Sequence, residues 1–405
     1  MCRWILVLTA RDRPLRLSDV LSKPSHSLVH QSFDASYRPG FTSRNNATLN
    51  ADGFGASWYA DGRLFLFKSV LPAWSDPNLA SIADCIESST IFGHVRAASP
   101  GSVVSFENCH PFKIGRLSFM HNGHVEQFGT LRRALLARLS DEAFRAVKGL
   151  TDSEHVFALL ASHLRDPGRA APFAPAELAD ALVATIGAVL ELLAEARVAD
   201  GFTSLNLALS DGETVVATRF CDKWPAIPPP SLYFSFPTHE ELRAELDGKG
   251  LAEAAGPGDG SANAAAVAAA PSTAVATPPP AAMLPPAGPK SPPPPASALH
   301  CGGDAGSASA HGVDSATWAR DEAVLAGAGA TAHERTLIVA SEPSTSTGRL
   351  SWHTLPANAM LVYSRILAGP PTLTHIALPG EGAGEGGAGA GAGARAAAVA
   401  TRLAV

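Results

Sequence analysis

The chain opens Met1-Cys2-Arg3-Trp4-Ile5-Leu6-Val7-Leu8. Trp4 to Leu8 are continuously apolar and are followed by Arg11-Asp12-Arg13, a pattern that predicts a buried strand with Cys2 at its head. The run is too short for the core of a secretory leader. No apolar run elsewhere reaches the ~18 residues of a membrane helix, so no membrane contact and a cytoplasmic location are expected. Cysteine is small enough to allow removal of Met1, which would leave a thiol and a free α-amine on one residue. The amine titrates near ~7.7–8.0 and a free thiol near ~8.5, so one can act as general base and the other as nucleophile. Taken alone, Cys2 also reads as an accidental cysteine opening a strand.

Working outward, residues 54–59 and 64–68 read as a strand pair joined at Asp61-Gly62. Residues 90–95, 116–120, 204–209, 214–220 and 231–236 read as further strands. Helical spacing marks 78–87, 130–139, 154–164 and 176–196. Composition then changes. Of residues 251–300, 33 are Ala, Gly or Pro, with no aromatic residue and three charges, Glu253, Asp259 and Lys290. Such a segment buries too little apolar surface to offset the entropy of ordering, and 248–332 is expected to be disordered. It reads either as a linker or as an insertion in one loop. Three strand-like segments follow (336–340, 350–353 and 360–364), too few to stand alone, so 333–366 is expected to rejoin the domain formed by 2–247. Residues 380–405 read as a disordered Gly/Ala tail.

With 405 residues, 46% hydrophobic and 17% charged, the chain can build a sizeable core. Its net charge of -6 gives no basic excess for nucleic acid. Five cysteines without a Cys-x-x-Cys pair exclude a disulfide framework and the usual zinc spacings, so neither a metal nor another cofactor is expected. Cys85, expected in a helix, Cys109, Cys221 and Cys301 read as bystanders.

Three further segments bear on Cys2. Gly93-His94-Val95-Arg96-Ala97-Ala98-Ser99 ends a strand, where an arginine can fork onto a carboxylate or simply lie at the surface. His121-Asn122-Gly123 offers a side-chain amide and a backbone N–H, the donors of an oxyanion hole, and also reads as an Asn-Gly turn. Thr151-Asp152-Ser153-Glu154 is a helix capping box in which Asp152 is left over to bind an ammonium group.

In order and spacing, Cys2, His94-Val95-Arg96, His121-Asn122-Gly123 and Thr151-Asp152-Ser153-Glu154 resemble the class II glutamine amidotransferases, Cys-type N-terminal nucleophile hydrolases. The resemblance implies an α+β fold, a four-layer αββα sandwich in which Cys2 opens a central strand. It implies Cys2 as nucleophile, Asn122 and Gly123 as oxyanion hole, Arg96 for the substrate α-carboxylate and Asp152 for its α-ammonium. Asn50-Ala51-Asp52-Gly53-Phe54-Gly55, Asn108-Cys109-His110-Pro111-Phe112 and Ala340-Ser341-Glu342-Pro343, among other stretches, look like the Dug-type subfamily, whose fungal members belong to a complex that degrades glutathione. The ergothioneine-pathway amidohydrolases are similar over the same residues. These resemblances imply a γ-glutamyl substrate, glutathione or glutamine, and a metallopeptidase-like partner. The alternatives are an ammonia supplier to a synthase, a γ-glutamyl hydrolase of ergothioneine-like biosynthesis, and a non-catalytic scaffold that keeps Met1.

Overall fold

The computed structural model describes residues 1–34, 49–99, 101–247, 334–345, 350–367, 369–378 and 400–401. The expected disordered stretch 248–332 lies outside the described residues, as does the 380–405 tail apart from 400–401.

Strand β1 (Arg3–Leu8) is buried along its whole length. Successive side chains of a strand point to opposite faces, and here both faces are covered. Trp4, Leu6 and Leu8 enter one apolar cluster, while Ile5 and Val7 enter another. The continuous apolar run therefore marks a central strand. β1 pairs antiparallel with β6 (Thr90–Val95) and with β12 (Leu337–Ala340), in the registers Arg3↔Val95 and Ile5↔Ala340. Its sheet continues through β3 (Phe54–Ala60) to β4 (Arg63–Ser69) on one side. On the other side come β11 (Tyr233–Ser235) and β13 (His353–Thr354).

The second sheet runs β16 (Ala400–Thr401), β15 (Thr372–Ile376), β14 (Ala359–Ser364), β10 (Thr214–Arg219), β9 (Ser204–Ser210), β8 (Leu117–His124) and β7 (Phe112–Ile114). A two-residue ladder joins β2 (Leu15–Arg16) to β5 (Glu87–Ser88). The sheets pack face to face through Trp4, Leu6, Phe92, Met120, Val215, Leu337 and Val339. Ile5, Val7, Ile338 and Ala340 point the other way, against α1 (Leu17–Leu21), α2 (Leu28–Gln31), α3 (Pro77–Ala83) and α8 (His239–Leu246). The outer face of the second sheet is covered by α4 (Phe128–Leu136), α5 (Asp141–Ala146), α6 (Asp152–Ser162) and α7 (Pro175–Glu195). The fold is a four-layer αββα sandwich. In α7, Leu178, Leu182, Ile186, Val189 and Leu193 recur at helical spacing, and Pro175 sits in the first turn, where its missing N–H costs nothing. Among the described residues no helix is long and apolar enough to cross a membrane.

The structure departs from the sequence reading at several boundaries. The helix expected over 78–87 stops at Ala83, and Glu87–Ser88 pair as β5 instead. Only His353–Thr354 of the segment around 350–353 is strand. The strand expected over 116–120 continues through His124, paired with β9 from Ser118 onward. His121-Asn122-Gly123 is therefore not a turn, and Asn122 is buried rather than exposed. Cys85 lies after α3 and is exposed, not buried in a helix.

His94 stacks on His110 with ring centroids 4.1 Å apart, both rings buried. Nδ1 of His94 and both nitrogens of His110 find no hydrogen-bond partner among the described residues. Burial pushes the pKa of His94 down to about 3 and that of His110 well below its ordinary value.

Two outcomes are expected. A chain ended at Asp247 loses β12, which lies between β1 and β11, and should show neither a cooperative thermal transition nor native near-UV dichroism. In the full chain, the two histidines have folded-state pKa values below the unfolded value of about 6.5. The unfolded chain therefore binds protons that the folded chain refuses. Stability measured by urea unfolding should be level above that pH and fall below it by about 1.4 kcal/mol per pH unit for each ring. Replacing His110 with Phe should reduce the slope.

Candidate active site

Cys2 stands one residue before the first ladder pair of β1 and is half-buried. The Ala97 amide points at its Sγ, N to S 3.5 Å, and the Ala97 carbonyl lies 3.6 Å from the same sulfur. Burial pushes the thiol pKa up, against the opposing pull of the Ala97 hydrogen bond, the chain's amine, Arg96 and Arg3. The thiol thus needs a base at hand. Met1 is exposed, and its carbonyl accepts from Asn50 Nδ2 at 2.9 Å.

Opposite β1, the end of β8 carries the amide-bearing residues. Strand alternation puts Ser118, Met120 and Asn122 on the face toward the first sheet. Ser118 Oγ meets Ser57 Oγ at 2.8 Å, and Met120 packs with Trp4. His121 and Gly123 face the helices. His121 Nδ1 lies 2.9 Å from Ser153 Oγ at the start of α6, and Nε2 lies 3.0 Å from the Ser204 carbonyl. A Cβ on Gly123 would sit 2.0 Å from Ser204 O, so only glycine lets β8 and β9 close here. His94 Nε2, on β6, reaches the His121 carbonyl at 3.3 Å and ties the strand beside Cys2 to the strand bearing Asn122. Asn122 Oδ1 is buried and unpaired among the described residues.

Arg96 is buried rather than lying at the surface. Its Nη1 donates to Val103 O at 3.2 Å and its Nη2 to Ser102 Oγ at 2.8 Å, so part of the guanidinium fork holds the loop after β6. Asp152 is likewise engaged. Oδ2 accepts from Val125 N at 2.8 Å and Oδ1 from Ser153 N at 2.7 Å, joining the end of β8 to the start of α6. The capping box is half present. Thr151 Oγ1 accepts from Glu154 N at 3.2 Å, but the Glu154 carboxylate turns away and accepts from Lys148 N and Gly149 N at 2.9 and 2.6 Å.

Four residues beside the site carry no individual role in the sequence reading. Asn50 holds the Met1 carbonyl, and Asp52 Oδ2 accepts from Ala98 N at 2.7 Å, steadying the segment that touches the thiol. Arg3 Nη1 donates to the Cys2 carbonyl at 3.0 Å, and Glu342 holds Arg3. Asn50, Asp52 and Glu342 lie inside stretches that carry the subfamily resemblance, but the contacts that use them are long-range. Cys109 and Cys221 are buried, and burial raises both thiols. Cys301 lies outside the described residues. Among those residues no group of His, Cys, Asp or Glu could hold a metal ion.

Residues 18–227 match the profile of the class-II glutamine amidotransferases, a stretch that includes Arg96, Asn122, Gly123 and Asp152. The chain is 37% identical over 235 residues to the probable glutamine amidotransferase DUG3 of Saccharomyces cerevisiae, covering 54% of this chain and 64% of the yeast protein, just under two thirds of that relative. It is 30% identical over 223 residues to the gamma-glutamyl-hercynylcysteine sulfoxide hydrolase of Mycolicibacterium smegmatis, covering 55% of this chain and 80% of that protein. The protein of the same description from Mycobacterium tuberculosis H37Rv is 27% identical over 222 residues, covering 55% and 78%. With more than half of its length matched and an αββα sandwich headed by Cys2, the chain belongs to the class-II glutamine amidotransferases.

Proposed function

We propose that the mature chain hydrolyses a γ-glutamyl amide through a γ-glutamyl thioester on Cys2. One observation carries the reading. Cys2 heads a central strand opposite the strand bearing Asn122 and Gly123, while Met1 beside it is exposed to removal. Once Met1 is removed, the freed α-amine takes the Sγ proton, which matters because burial disfavours the thiolate. Sγ then attacks the γ-carbonyl carbon. The Asn122 amide and the Gly123 N–H receive the oxyanion. The protonated amine returns its proton to the departing nitrogen, and water attacks the thioester, releasing glutamate and the thiol.

The remaining N–H donors of Arg96 take the substrate α-carboxylate, and the free lone pairs of Asp152 take its α-ammonium. Both groups belong to the glutamyl half, so the leaving group is less constrained. We assign glutathione as substrate, cleaved to glutamate and Cys-Gly, by resemblance to the Dug-type subfamily. The mycobacterial relatives, by their names, hydrolyse γ-glutamyl-hercynylcysteine sulfoxide, and they favour a second reading in which the leaving group is a hercynylcysteine sulfoxide. Glutamine would fit the same head-group site with ammonia as leaving group. Nothing in the comparisons speaks for a metallopeptidase-like partner, and the chemistry does not require one.

The test is glutamate release from glutathione, glutamine and other γ-glutamyl amines, using protein whose intact mass shows that Met1 is gone. Cys2→Ala should abolish turnover, and Asn122→Ala should lower kcat by about 10²–10³. Protein that retains Met1 has an amide in place of the base and should be inert. Full activity with Met1 in place would overturn the mechanism. Turnover of glutamine with none of glutathione would replace the substrate assignment.

A further inference from the structure

Cys2 becomes the chain terminus when Met1 is removed, and a terminal residue frays unless something ties it down. The β1 ladder begins only at Arg3. The bond from Asn50 to the Met1 carbonyl leaves with Met1. Among the described residues, two tethers to Cys2 then remain: the Ala97 contact with Sγ, and the 3.0 Å bond from Arg3 Nη1 to the Cys2 carbonyl.

The Arg3 side chain is itself fixed. Its Nε donates to Glu342 Oε1 at 2.6 Å, and Glu342 Oε2 lies 3.0 Å from His26 Nε2, with all three side chains almost wholly buried. Burial works against the Glu342 carboxylate. The hydrogen bond from His26 and the charge of Arg3 nevertheless hold its pKa below the usual carboxylate range. The backbone around Glu342 is tied to the same places. Trp4 N donates to Ser341 Oγ at 3.1 Å, Ser341 N donates to Trp4 O at 2.9 Å, and His26 N donates to Ser344 O at 3.1 Å.

We propose that Glu342, on the turn after β12, is a positioning residue for the nucleophile, acting through Arg3 to fix the carbonyl of Cys2, with His26 orienting its second oxygen. The proposal rests on Cys2 being the nucleophile. A stabilising role alone would be a weak reason for such a cluster, because a buried ion pair contributes no more than apolar residues of similar volume. An apolar pair, however, supplies no donor to the Cys2 carbonyl. The arrangement also makes the active site depend on residues more than 300 positions away in the chain, with Glu342 separated from Arg3 by 339.

The test uses the full-length, Met1-free protein with two variants, Glu342→Gln and the apolar pair Arg3→Met with Glu342→Leu. Three quantities are read: kcat and KM for γ-glutamyl hydrolysis, the rate of Cys2 labelling by 6-diazo-5-oxo-L-norleucine, and Tm. Both variants should lose about 10²-fold in kcat, the cost of misplacing a reacting group by about an ångström. KM should stay within about twofold because neither side chain touches substrate, and Cys2 labelling should slow in step with kcat. Adding Arg3→Met to Glu342→Gln should lower kcat no further than either change alone, since the two residues act as one unit. Wild-type kcat and labelling in either folded variant would overturn the proposal. If Glu342→Gln fails to fold, the apolar pair decides. A fall in kcat that tracks Tm, with labelling of the folded fraction unchanged, would leave Glu342 a structural role only and also overturn it. Wild-type protein that is not labelled at Cys2 would instead sink the functional reading, and this inference with it.

Discussion

The antiparallel pairing of β1 between β6 and β12 is the constraint on which the molecule depends. It places the first residues of the chain in the middle of a seven-stranded sheet, with apolar side chains facing both the second sheet and the outer helices. A strand so enclosed cannot fray far, so Cys2, one residue before its first ladder pair, is held close to the sheet. The same pairing obliges residues after 333 to return, because Leu337 and Val339 complete the layer that buries Trp4 and Leu6.

Close approach between backbones is the second condition. The His121–His124 end of β8 reaches β9 only because position 123 has no Cβ, and the approach brings the buried Asn122 to the face that looks toward β1. His121 and His94 then brace this end from the two sides, one to α6 and β9, the other to β6. Burial holds both imidazoles neutral, His94 with one hydrogen bond and His121 with two.

Charged groups near the candidate site are held by the fold. Arg96 secures the loop at 102–103 while presenting its remaining donors, and Asp152 joins β8 to α6 through two backbone amides. Buried charge is expensive unless paired and hydrogen-bonded. The buried Arg96 and the half-buried Asp152 are each hydrogen-bonded to neutral neighbours, which fixes their positions.

Much of this was legible in the residues themselves. A five-residue apolar run bounded by charge marks β1, apolar spacing marks α7, and four short motifs in order mark the amidotransferase family. Those signals are local, and each depends on residue type at fixed spacing. What local pattern could not decide was where chains from distant positions meet. Asn-Gly reads as a turn, and only the pairing with β9 from Ser118 to His124 makes it strand. Thr151-x-x-Glu154 reads as a complete capping box, and only the nearby amides of Lys148 and Gly149 draw the glutamate away. The hold of Glu342 on Arg3 has no local signature, because the attraction between them acts across space at 2.6 Å whatever their separation along the chain. Residue type and spacing determined the family, the central strand and the candidate nucleophile. Tertiary contact decided which polar groups are free for substrate and which are already held by the fold.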